Sequence, residues 1–148
     1  MENIETLEQV AEVLQDLGYE IEVDENTAVY IKVGGNESPF TAVVTCDTQR
    51  ERMDITCQVA KLGDIPDEAT PKFMLAALDA NTAMRPYAFA VISDTDNPEY
   101  DEPEEWPVVL TESIPLGDLC REEIEAAMDS LWMALAASRP VIEVGFGK

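Results

Sequence analysis

Apolar residues recur along this chain at two spacings, and each change of spacing marks an element. Ile4, Leu7, Val10, Leu14 and Leu17 stand three or four apart, with Glu5, Glu8, Glu12 and Gln15 between them, which is the pattern of a one-sided helix. Asn3 or Thr6 stands where a cap is needed, and Gly18 where the chain can leave the helix in a left-handed conformation. The spacing then drops to two. Tyr19, Ile21 and Val23 alternate in YEIEVD, the turn-prone DENT follows, and AVYIKV completes a hairpin closed by GGNESP. A second hairpin joins FTAVVTCD (40–47) to MDITCQVA (53–60) through TQRER. With its turn centred near Glu51, Val44 opposes Val59 and Cys46 opposes Cys57 on the apolar face, while Thr45, Thr56 and Gln58 look the other way.

KLGDIPDEA reads as a linker, after which Thr70 is expected to cap a helix with Pro71 at its first position. That helix runs through FMLAALDANTAM (73–84) and is expected to stop at Pro86, before a β-rich run YAFAVIS (87–93). DTDNPEYDEPEE packs seven acids and two prolines into a loop, and VVLTESI (108–114) resumes the sheet. Asp118 is expected to cap a last helix with Glu122 and Glu123 at the positive end of its dipole and Ile124, Met128, Leu131 and Leu135 as its buried stripe. Pro140 is expected to end it, leaving VIEVGFGK as a tail that packs on the core or adds a short strand. The predicted order is α-β-β-β-β-α-β-β-α. This is an α+β fold, an antiparallel sheet covered by helices, in one domain spanning 1–148.

Charge narrows the partners. Nine Lys and Arg oppose thirty-one Asp and Glu for a net charge of −22, a field that repels phosphate backbones and anionic lipid. Neither nucleic acid nor a membrane is expected as a partner, and basic polypeptides are favoured over acidic ones. The acidic MENIETLEQV start lacks the basic and apolar runs of a secretory signal, so a cytoplasmic location is expected. Cys46, Cys57 and Cys120 show no C-x-x-C spacing and are read as packed thiols rather than a disulfide.

Catalytic chemistry has little to stand on. The chain contains no histidine, which removes Ser-His and Cys-His catalysis and any histidine-bound metal. Phosphate-cradling glycine motifs are missing as well, and among so many acids a carboxylate pair has no specificity. No cofactor, no metal and no enzymatic activity are expected. The loop 94–105 keeps an alternative open, a calcium or small-ligand sensor using Asp94, Asp96, Glu99 and Asp101, although these lack EF-hand spacing. Trp106, beside that loop, stands where an aromatic anchors a peptide, whereas Trp132, four residues beyond Met128, is read as core.

FMLAALDANTAM is unusual in carrying one charged residue, Asp79, which is expected at an exposed margin. A helix apolar nearly all round is buried on two sides. One side is the protein's own sheet, and the other is covered either by the first and last helices or by a second copy across a two-fold axis; the pattern favours the copy. Phe73, Met74, Ala77, Leu78, Asn81 and Met84 are therefore the residues expected at a homodimer or partner interface, with Asn81 also placed to satisfy free carbonyls at the helix end.

The element order resembles the type III secretion chaperone-like fold. Residues 73–140 further resemble the YbjN-type domain described as a bacterial sensory-transduction regulator, through LAALDAN, PYAFAVISD, the acidic loop, VVLTESIPL and LCREEIEAAMDSLW. The sequence departs from that pattern at Thr82 and Met84, where aromatics are usual, and in having four strands before the second helix. The resemblance implies a small, acidic, non-enzymatic dimer, chaperone-like or regulatory, that holds another polypeptide on sheet and helix surfaces without a cofactor.

Overall fold

The first helix forms where its cap and its apolar stripe coincide. In the computed structural model, which describes residues 4, 6–24, 28–33, 40–47, 49–92, 106–116 and 119–146, α1 (Leu7–Asp16) opens with a reciprocal capping box. The Gln9 amide donates to Thr6 Oγ1 at 3.2 Å, and the Thr6 amide donates to Gln9 Oε1 at 3.1 Å. Leu7, Val10, Ala11 and Leu14 turn inward. Gly18, at φ +95°, ends the helix and redirects the chain at Tyr19, whose amide donates to the Leu14 carbonyl.

The strands are β1 (Ile21–Asp24), β2 (Ala28–Val33), β3 (Phe40–Asp47), β4 (Arg52–Lys61), β5 (Ala88–Val91) and β6 (Pro107–Pro115); the other helices are α2 (Thr70–Ala80) and α3 (Arg121–Phe146). They follow the expected α-β-β-β-β-α-β-β-α order, and the six strands form one antiparallel sheet in the order β1-β2-β3-β4-β6-β5. The architecture is the α+β one that the sequence predicts, an antiparallel sheet with helices. By contact density the chain falls into two compact units, one of residues 1–57 and 111–132, the other of residues 58–110 and 133–148.

In the first unit α1 lies against β1, β2 and β3. Its core is the inward face of the strands, Val29, Ile31, Val33, Ala42, Val44, Met53, Ile55 and Cys57, together with the α1 stripe and Ile124, Ala127, Met128 and Leu131 of α3. The other sheet face is polar, with Thr56 and Thr111 hydrogen-bonded across β4 and β6 and Arg52 Nε donating to Ser113 Oγ at 2.6 Å.

The register of the second hairpin differs from the expected one. Val44 faces Ile55, Cys46 faces Met53, and Cys57 faces Ala42. Asp47 closes the turn early, its side-chain oxygen accepting from the amides of Gln49 and Arg50 at 3.1 and 3.2 Å, so Asp47 pairs with Arg52 and the turn centre moves back. Each residue's partner shifts by an even number of positions, which leaves every side chain on its predicted face. All three cysteines are free thiols, and Cys46 and Cys57 are not neighbours across the strands.

The second unit is built on Ile65, Phe73, Ala77, Val108 and Val141. Contrary to expectation, Pro140 lies inside α3, which continues to Phe146, so the tail is neither a strand nor a separate segment. An interior proline costs a helix about 3 kcal/mol, and burying Val141 returns about 1.5–3 kcal/mol, which offsets much of that cost. Gly145 permits that docking, because a Cβ there would sit 2.9 Å from the Phe73 ring and 3.4 Å from Ile65. Two further readings change. Thr70 does not cap α2, since its hydroxyl donates to the Pro66 carbonyl at 3.1 Å. Trp132 is 46% exposed rather than core: the buried stripe of α3 is Ile124, Ala127, Met128, Leu131 and Ala134, and the step from Met128 to Trp132 leads off it. Asp118 and the loop 94–105 lie outside the described residues.

Two outcomes follow from this packing. Gly145→Val should lower stability in urea unfolding by about 1–3 kcal/mol, and adding Phe73→Leu should recover part of the loss if the two positions share one space. Burial pushes the Cys57 thiol from 9.0 up to about 11, so the unfolded thiol ionises first and this group erodes stability as pH rises from 9.0 toward 11, with its full contribution kept below 9.0. In native protein at mildly alkaline pH, peptide mapping should find Cys57 the last thiol alkylated, a difference that disappears in urea.

Candidate interaction surface on the second helix

Pro71 is the second residue of α2, in the first turn where its missing N–H costs nothing, and the residues after it sort onto two faces. Phe73 is 1% exposed and meets Phe89 of β5 edge to face, ring centroids 6.1 Å apart. Ala77 is buried on the same stripe, and Met84 is buried just past the helix end. Met74, Ala76 and Ala80 pack partly against this core. Opposite them, Leu75 is 71% exposed and Leu78 67% exposed, three residues apart and therefore side by side on the helix surface. Asp79 is exposed too.

The residues expected at an interface are thus divided. Phe73, Ala77 and Met84 are spent on the unit's own core, Met74 is half-buried, and Leu78 alone of the set stands fully outward. Leu75, outside that set, stands with it. The spacing of Leu75 to Leu78 was the signal available, but the abundance of apolar neighbours hid which of them the core would take.

Asn81 caps the end of α2, its backbone amide donating to the Ala77 carbonyl at 3.1 Å. Its side-chain oxygen in addition accepts from the Phe89 amide at 2.7 Å. β5 is an edge strand, and Ile92 donates to the Pro107 carbonyl at 3.1 Å, so even-numbered amides face β6 and Phe89 faces outward. Asn81 therefore ties the end of α2 to the open side of β5. Trp106 is half-buried at the start of β6, and its carbonyl accepts from the Leu62 amide at 2.9 Å.

Elsewhere, in the first unit, a depression of about 340 Å³ is lined by Glu20, Glu22, Tyr30, Lys32 and Thr41, with Lys32 and Glu20 paired at 3.9 Å. Among the described residues no cluster of His, Cys, Asp and Glu could hold a metal ion, and no helix is long and apolar enough to cross a membrane. Asp94, Asp96, Glu99 and Asp101 fall outside those residues.

No family model matches the sequence, and no curated protein matches it. The fold does have solved relatives. A chain of the HopA1–SchA chaperone–effector complex is similar with a TM-score of 0.57 at 15% identity, over 88% of this chain and 90% of its own. A chain of the ExsC–ExsE complex is similar with a TM-score of 0.56 at 19% identity, over 89% and 90% respectively. An uncharacterized protein from Methanothermobacter thermautotrophicus is similar with a TM-score of 0.56 at 13% identity, over 93% and 97%. At these identities the shared property is the fold, a chaperone-like one.

Removing the Asn81 side chain tests the link between α2 and β5. Asn81→Ala leaves the Phe89 amide without its acceptor at a cost of about 1–3 kcal/mol, and faster hydrogen exchange at Phe89 than in the wild type is the expected reading.

Proposed function

We propose that this protein is a non-enzymatic, polypeptide-binding module, chaperone-like or regulatory, that works in the cytoplasm as an acidic homodimer with the outward face of α2 at the two-fold axis. The observation that carries the reading is the exposed pair Leu75 and Leu78 on a chain whose net charge is −22. That acidity keeps copies apart, and a large apolar pair left in water within it marks a contact site. Two-fold pairing uses the same patch twice, which makes a single short helix face sufficient to seed an interface. The solved relatives support a polypeptide partner, because two of them are chains of protein complexes, one a chaperone–effector complex. The same charge favours partner segments rich in Lys and Arg.

Leu78→Asp tests the interface. In a symmetric dimer it removes two buried leucines and brings two carboxylates together, a loss of about 3 kcal/mol or more, roughly a hundredfold or greater in dimer Kd. Sedimentation velocity should show the wild type as a dimer and the variant as a monomer with an unchanged circular dichroism spectrum. A wild type that stays monomeric at the highest soluble concentration would overturn the dimer.

A further inference from the structure

The last turns of α3 are helical against the preference of their own residues. Beyond Pro140, the six positions 141–146 include three β-branched residues, Val141, Ile142 and Val144, and a glycine, Gly145. Such a segment is too short and too poor in helix formers to stand as a helix by itself. Contact keeps it in shape. Val141 is buried in the cluster of Ile65, Phe73, Ala77 and Val108. Gly145, one turn on, lies so close to the Phe73 ring that an added Cβ would sit 2.9 Å from it. Ile142 is half-buried, and Glu143 and Val144 face water. Docking thus rests on Val141 and Gly145, whereas the part of α3 before Pro140 is held by Ile124, Ala127, Met128, Leu131 and Ala134.

The joint between the two parts is weak. Pro140 has no N–H, so the Ala136 carbonyl lacks its helical donor. At the neighbouring rung the buried Ser138 hydroxyl donates to the Leu135 carbonyl at 2.7 Å and competes with the backbone for it. The ion pair that crosses the proline, Arg139 to Glu143 at 4.0 Å, has side chains 85% and 51% exposed and adds little. The helical ladder is therefore loosened at two consecutive carbonyls, just where the docked end begins.

The second helix leans on that end. α2 is eleven residues long, has no side-chain cap at its start, and buries only Phe73 and Ala77. A helix of this length is marginal in water without its packing.

We infer that residues 141–146 form a strap that leaves the α2 core as a unit about a hinge at Pro140, and that α2 stays formed only while the strap is docked. Opening uncovers Phe73 and Ile65, so the strap sets whether Leu75 and Leu78 are presented side by side on an ordered helix. The use of the strap rests on the reading of that outward face as a contact site; the opening itself does not.

Amide hydrogen exchange in the full ¹⁵N-labelled chain tests the strap, with each rate taken relative to that of the same residue in an unstructured peptide. Amides 142–146 are expected to exchange at one common rate, a hundredfold or more faster than amides 124–131. Amides 74–80 of α2 should exchange at the strap's rate or faster. Pro140→Ala, which restores a donor to the Ala136 carbonyl, should slow the strap amides tenfold or more. Strap amides as slow as 124–131, or a graded rise from 142 to 146 of the kind a fraying end gives, would overturn the unit. Strap rates unmoved by Pro140→Ala would overturn the hinge, and α2 amides slower than those of the strap would overturn the coupling. Exchange does not read oligomeric state, so its failure leaves the α2 interface standing, and a monomeric wild type leaves the strap standing.

Discussion

The ring of Phe73 has to be enclosed, and the second unit is arranged around that requirement. A phenyl group facing inward from an eleven-residue helix needs walls that α2 cannot itself provide. Ile65, Val108, Phe89 and the last turns of α3 supply them. For α3 to reach that far it must run through Pro140, and for it to come close enough it must present Gly145 to the ring. Once the inward stripe of α2 is saturated in this way, Leu75 and Leu78 have no partner left within the unit and face water. The exposed leucines are thus a by-product of how completely Phe73 is buried.

Strand and helix identities were legible because they rest on local patterns. The alternation of Met53, Ile55 and Cys57 survives an error in the turn, since an even shift in register preserves the face of each side chain. Thr6 with Gln9, and Gly18, act within a few residues and were readable for the same reason. Pro140 and Trp132 were misread because their outcomes depend on distant partners. A helix crosses a proline when the residues beyond it have a core to enter, and only the folded chain shows that Val141 does. Trp132 was assigned inward from its step to Met128, but that step leads off the buried stripe of α3. Which members of a crowded apolar helix stay outside was likewise beyond a one-dimensional pattern, as Leu75 shows.

The acidity of the chain gives a background against which uncharged surface acquires meaning. A coat of carboxylates makes random encounters between copies unfavourable, and it sharpens selection at places where carbon is left exposed. Leu75 and Leu78 form one such place, suited to a like surface that brings no charge.

Asn81 has a bearing on how large an assembly of this fold can become. A strand at the end of a sheet is a template, and copies that add edge to edge propagate without limit unless something interrupts the row of amides. By accepting from the Phe89 amide, Asn81 removes the donor near the middle of the outer row of β5. An arriving strand would have to displace a side chain held at 2.7 Å before it could pair. One amide thereby makes this edge a poorer template for an added strand.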